Sequence, residues 1–264
     1  MSNSRKRWLL LFGAIFLFFE LIHLFASPVN NPKLTEAIFA GDLAYKKFDN
    51  HAALTHYSRA IAIDSSNYQV LWKLARAYVD VGMTLSKKEQ PKYYALGEKL
   101  ARRCTTLHPD SSNGHFLLAV ALGRMAFYEG GKRKIQIAKE VKVEAEHTLQ
   151  AYPQHDGAMH ILGRWNYELA DLNFIERAAA KIIFGGLPTG ASYEQAAKYY
   201  EQAISRRPNS LVHHYEFART LLKLHRVAEA RRHLEQCIAL PDLFWDDTQH
   251  KLAARKLLDK LPKS

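Results

Sequence analysis

An all-α fold, a superhelical array of helix–turn–helix repeats, is predicted by three observations. Ala196, Tyr200, Ala203 and Pro208 follow one another at intervals of four, three and five residues. On a helix that spacing sets small residues where two backbones must approach, an aromatic ring one turn on to fill the gap, and a proline to stop the next turn. The same pattern recurs along most of the chain. Finally, a composition of 48% hydrophobic and 24% charged residues over 264 positions describes a globular protein, not a disordered one.

The spacing is the second-helix signature of a tetratricopeptide repeat, a unit of about 34 residues. About five such units and a capping helix fit residues 34–262, a tetratricopeptide-like array behind an N-terminal hydrophobic segment. In that segment Arg5-Lys6-Arg7 precedes an apolar run from Trp8 to Ala26, interrupted by Glu20 and His23. As a helix the run spans roughly 28 Å, close to the hydrocarbon thickness of a bilayer. Residues 1–27 are read as a signal anchor, with a cleaved signal peptide or a buried core helix as the other readings. Cleavage after Ala26 would put Leu24 at the minus-three position, where a small residue is preferred, and this favours retention.

The cationic flank stays cytoplasmic. A single span would therefore hold the repeats on the extracytoplasmic, periplasmic side of a bacterium. Soluble export after cleavage, or a cytosol-facing anchor on an organelle membrane, are the alternatives. Residues 28–33, within Ser27-Pro28-Val29-Asn30-Asn31-Pro32, read as a short stiff spacer.

The first repeat begins near Leu34, with Gly41 in its first helix and Ala53, Tyr57 and Ala60 in its second; Asp64-Ser65-Ser66-Asn67 makes the turn. The second carries Leu71, Leu74, Ala75 and Tyr78, then Gly97, Ala101, Cys104 and Pro109, and is about ten residues too long around Thr84–Lys92. A third unit, Ser112 to Pro153, carries a similar excess around Tyr128-Glu129-Gly130-Gly131-Lys132. The fourth, Asp156 to Pro208, holds about twenty extra residues between Asp171 and Ser192. There Ile175 to Phe184 is helical in pattern until Gly185-Gly186 and Gly190 break it.

The fifth is close to regular, with Phe217, Ala218 and Leu221, then Ala230, Leu234 and Cys237. A last amphipathic helix, Asp246 to Leu261, is expected to turn Leu252, Leu257, Leu258 and Leu261 inward and Lys251, Arg255, Lys256 and Lys260 outward, as a solubilising cap does.

A formal charge of +11 points to an acidic partner: an acidic peptide, an acidic protein face or an anionic lipid surface. Nucleic acid is not expected, since no helix-turn-helix, zinc-finger or RNA-recognition signature accompanies the charge. Cys104 and Cys237 fall at one repeat position, a packing slot for a small residue, and read as two separate buried thiols. Among the 13 histidines, His51 and His56, or His213 and His214, lack helix-face ligand spacing with a matching acid, so no metal is expected. Gly185-Gly186 is followed by no Lys-Ser/Thr and is a linker, not a phosphate loop. No nucleophile, base and orienter can be assembled, so neither catalysis nor a cofactor is expected.

Several blocks go beyond a generic repeat. Leu71-Trp72-Lys73-Leu74-Ala75-Arg76-Ala77-Tyr78, Tyr128-Glu129-Gly130 with Lys134-Ile135, His160 with Leu162-Gly163-Arg164-Trp165 and Tyr167, Leu187-Pro188, and Ala191-Ser192-Tyr193-Glu194 resemble the regulator of microtubule dynamics family. The resemblance covers about Ala37 to Leu261 and includes the long middle repeats. It implies tetratricopeptide-like helices and an interaction role. Animal members associate with microtubules, and some carry an N-terminal membrane anchor; the export-style N-terminus here departs from that picture.

In such arrays the first helix of each repeat lines the concave groove. The fifth and ninth positions of that helix give Trp72 and Arg76, His160 and Arg164, and Tyr215 and Arg219. Each ring and guanidinium are one turn apart on one face. A bidentate fork beside a flat ring suits carboxylate or phosphate. The groove is therefore expected to take a partner protein's acidic peptide, making this a non-catalytic scaffold. Anionic lipid is the alternative, which an apolar lining such as Phe116, Leu117 and Val120 would favour. A purely structural role, with the arginines paired to acids on neighbouring helices, stays open. The ninth position lacks asparagine throughout, so the lysine–asparagine clamp of chaperone-binding repeats is not expected.

Overall fold

A computed structural model of the chain describes residues 31–178 and 190–262. Its helices form antiparallel pairs: α1 (Pro32–Lys46) with α2 (Asn50–Ile63), α3 (Tyr68–Thr84) with α4 (Gln90–Leu107), α5 (Ser112–Met125) with α6 (Gly131–Ala151), α7 (Asp156–Ala170) with α8 (Tyr193–Arg206), and α9 (Leu211–Lys223) with α10 (Val227–Ala239). The closing helix α11 spans Asp247–Leu258. Each helix packs on the next, and the first helices also touch along the array, α3 on α5, α5 on α7 and α7 on α9. The tetratricopeptide-like array predicted from the sequence is the fold observed.

Local chemistry starts the helices. Asn31, Asp49, Asn67, Ser111 and Ser192 each accept a backbone N–H of the first turn through the side chain, satisfying donors that have no partner within the helix. Pro32 occupies the start of α1, where its missing N–H costs nothing, so the helix begins inside the stretch read as spacer. The turns within the first and fifth pairs place Phe48 (φ 63°) and His225 (φ 59°) in the left-handed region. The extra length of the second and third repeats is taken up partly by helix, α3 running 17 residues and α6 21.

Small residues do what their spacing predicts. Gly41 and Gly163 lie against the rings of Tyr57 and Tyr200, both fully buried. Cys104 and Cys237 are buried and free. Across the first two repeats Lys73, itself buried, reaches Asp42 at 2.6 Å, and the Tyr57 hydroxyl donates to the same carboxylate at 2.6 Å.

The cap differs from expectation. Ala254, Leu257, Leu258 and Leu261 face the array, but Leu252 is 49% exposed. Two residues before Ala254, it lies some 200° around a helix at 3.6 residues per turn, on the far side. Lys251 is not on an open outer face either, since it pairs with Asp242 at 2.6 Å. No described helix is long and apolar enough to cross a membrane. The anchor assigned to residues 1–27 and most of the Ile175–Phe184 segment, with Gly185-Gly186, lie outside the described residues.

Candidate functional site

One face of α3 carries the first of the expected ring–guanidinium pairs. Trp72, Arg76 and Asp80 recur every four residues and so stack along one stripe. The Arg76 guanidinium lies 3.5 Å from the centroid of the Tyr45 ring and 5.1 Å from that of Trp72. Trp72 Nε1, Arg76 Nε and one Asp80 carboxylate oxygen are buried without a hydrogen-bond partner. An unsatisfied buried polar atom costs about 1–3 kcal/mol. Burial pushes the Asp80 carboxyl up to about 7; Arg76 opposes the shift and Asp246 adds to it.

Arg124 of α5 lies within electrostatic reach of Asp80. Burial, then repulsion from Arg164, lowers the affinity of the Arg124 guanidinium for its proton. Arg164 on α7 pairs loosely with Glu168 of its own helix at 3.6 Å and lies 5.6 Å from the Phe127 ring centre, not over His160. His160 instead meets His213 of α9, Nδ1 to Nδ1, at 3.1 Å. The far Nε2 of His213 lies 2.9 Å from Asp156, which also holds Arg207 at 3.2 Å.

At the α9 end, Arg219 pairs with Glu216 at 2.7 Å and covers the rings of Tyr167 at 4.8 Å and Tyr215 at 6.0 Å. Burial works most strongly against its charge, but Glu216, Tyr167 and Tyr215 together outweigh it and hold the guanidinium ionised. Tyr200, whose buried hydroxyl has no partner, is felt by both Arg164 and Arg219 and so links this end to the middle.

The ring-over-guanidinium arrangement expected from the sequence therefore exists at Trp72–Arg76 and Tyr215–Arg219; at His160–Arg164 the ring partner is Phe127. The acids nearest Arg164 and Arg219 sit on their own helices, not on neighbouring ones. Leu117 is buried core and Phe116 packs 4.5 Å from the His155 ring, so this part of the expected apolar lining is not free groove surface.

Sequence reading missed four groups here: Tyr45, Asp80, Arg124 and Asp246. Asp80 carried a usable signal, one turn beyond Arg76. Arg124 carried a weaker one, because it sits one turn past the ninth position of its repeat. Also unanticipated are two groups whose possible metal-ligand atoms lie within 4.8 Å of one another: His115 with Glu144 and His147, and Asp246 with Asp247 and His250. In the first, both His115 nitrogens are engaged, with Glu144 at 2.6 Å and the Pro109 carbonyl at 2.7 Å. In the second, Asp247 accepts the amides of Leu243 and Phe244 at 2.7 and 2.8 Å.

The family described as Regulator of microtubule dynamics protein 1-3 matches residues 39–262. Regulator of microtubule dynamics protein 1 of Bos taurus is 28% identical, covering 97% of this chain and 83% of the relative. The Homo sapiens protein of that name is 30% identical over 71% of this chain and 60% of its own length. Among solved structures, a thermophilic TPR protein of Thermus thermophilus covers 84% of this chain and 99% of its own, with a TM-score of 0.64 at 14% identity. At that identity the likeness concerns the fold alone.

Proposed function

Because this chain belongs to the regulator of microtubule dynamics family, we propose that it is a non-catalytic scaffold whose repeat domain, residues 34–262, holds an acidic peptide segment of a partner protein in its concave groove. The carrying observation is the row of buried, unpartnered polar atoms on Trp72, Arg76 and Asp80. Arg76, Arg124 and Arg164 supply the positive charge there, with His160 beside them and Tyr215 and Arg219 at the far end. An arginine already stacked on a ring loses little freedom when it takes a carboxylate, which favours peptide acids over bulk anions.

A labelled peptide of alternating glutamate and tyrosine tests this by fluorescence anisotropy on residues 31–262. The Arg76→Ala/Arg124→Ala variant is expected to weaken binding at least about tenfold, one charge-assisted contact's worth. Arg255→Ala/Lys256→Ala on α11 should leave it unchanged. Equal losses in both variants would reduce the effect to net charge. Capture of phosphatidylserine vesicles that depends on Arg76, with no peptide binding, would move the function to lipid.

A tether through residues 1–27 belongs to the same proposal, supported by the apolar run behind Arg5-Lys6-Arg7. A second reading, regulation of microtubule dynamics as the relatives' name states for them, is favoured by the exposed Lys132-Arg133-Lys134 at the start of α6. Cosedimentation with polymerised tubulin, lost on substituting these three by glutamate, would support it.

A further inference from the structure

Between α10 and α11 the chain does not stay at the end of the array. Asp246 comes close enough to Tyr45 of the first repeat, Asp80 of the second and Arg124 of the third to act on all three electrostatically. Trp245 reaches the Asp80 carboxyl. Phe244 lies 5.7 Å from the Arg207 guanidinium, a cation–π distance. All three side chains are half-buried. The crossing is held in shape by Asp247, buried, whose carboxylate accepts the amides of Leu243 and Phe244.

We infer that Phe244-Trp245-Asp246 is an internal stand-in for the partner, and that the groove takes a partner segment in which an acidic side chain follows aromatic ones, admitted by displacing this loop. The inference rests on the groove reading above and deepens it by naming the ligand's chemistry. Three features carry it. The segment is acidic and aromatic where the groove wall is cationic and aromatic. Trp245 reaches Asp80, at one end of the stripe that bears the unpartnered atoms. Yet the segment leaves Arg76 Nε, Trp72 Nε1 and one Asp80 oxygen unused, so a longer partner segment has contacts to gain that the loop lacks. A loop that closes a site part of the time reduces apparent affinity by the fraction of time the site is open.

The test uses the full chain and a labelled peptide with the chain's own sequence from Leu240 to His250. Trp245→Ala/Asp246→Asn, with Asp247 kept so that the turn stays capped, is expected to bind the peptide about tenfold tighter than wild type, as vacating a mostly closed groove requires. Circular dichroism checks the fold, and Phe244→Ala serves as a second, milder variant expected to shift in the same direction. A peptide with both consecutive aspartates replaced by lysine should not bind. Equal affinity in wild type and loop variants, still lost in Arg76→Ala, would overturn the stand-in and leave the groove reading intact. Binding indifferent to Arg76→Ala would overturn the groove reading itself. No binding to either folded loop variant would overturn the inference.

Discussion

The Nδ1 atoms of His160 and His213 lie 3.1 Å apart, joining the first helices of the fourth and fifth repeats. One of the two must donate and the other accept. His213 faces the Asp156 carboxylate through Nε2, so that nitrogen carries a proton. Burial holds His160 well below the ordinary histidine range, and His213, Arg164, His250 and Arg124 deepen the shift.

Acid should therefore weaken the fold. His155, His160, His214 and His233 all have lowered folded-state values, chiefly through burial, His233 falling to about 4. Between pH 6.5 and 4 the unfolded chain binds the protons that the folded chain refuses, so stability is present above pH 6.5 and lost as pH falls. A loss of about 1–3 kcal/mol is expected between pH 7 and 4.5. Urea unfolding at both pH values measures it, and His233→Gln should flatten the slope; a slope untouched by that change would place the acid sensitivity elsewhere.

Asp80 acts with the opposite sign. Its folded-state value of about 7 stands above the ordinary 3.8, so keeping it buried costs stability as pH rises from about 4 through 7. Asp80→Asn is expected to be more stable than wild type at pH 8, by about 2 kcal/mol, with the difference shrinking to nothing near pH 4. A destabilised Asn variant at pH 8 would show that the carboxylate is held by Arg76 more strongly than burial opposes it.

Two glycines should respond oppositely to alanine. A Cβ on Gly41 would fall 2.4 Å from the Tyr57 ring, which is fully buried and cannot yield. Gly41→Ala is expected to cost about 2–3 kcal/mol through overpacking. Gly123, inside α5, has nothing within 4 Å of its Cβ position. Gly123→Ala should gain about 0.5–1 kcal/mol from helix propensity. Thermal unfolding of the two variants side by side decides the matter, and a loss in both would mean that helix α5 packs more tightly around Gly123 than its open surroundings indicate.

Most of the architecture was legible because a repeat writes its packing into spacing. Ala53, Tyr57 and Ala60, or Ala196, Tyr200 and Ala203, name the buried face of a helix without reference to anything beyond the next helix. The register of the cap was less legible: of its four leucines, Leu252 turned outward because a small residue, Ala254, took the contact position instead.

What the sequence by itself determined is thus the helices, their pairing and the slots for small and aromatic residues, since each depends on contacts between chain neighbours. It also located Trp72, Arg76, His160, Arg164, Tyr215 and Arg219 on first helices. Only the tertiary structure decided which of these share surroundings, that Tyr45, Asp80 and Arg124 join them, and that the loop carrying Trp245 and Asp246 reaches the second repeat. The physical reason is that small rotations between successive repeats add up along a superhelix. No local pattern records their sum, and on that sum depends which distant side chains come within electrostatic reach of Asp246.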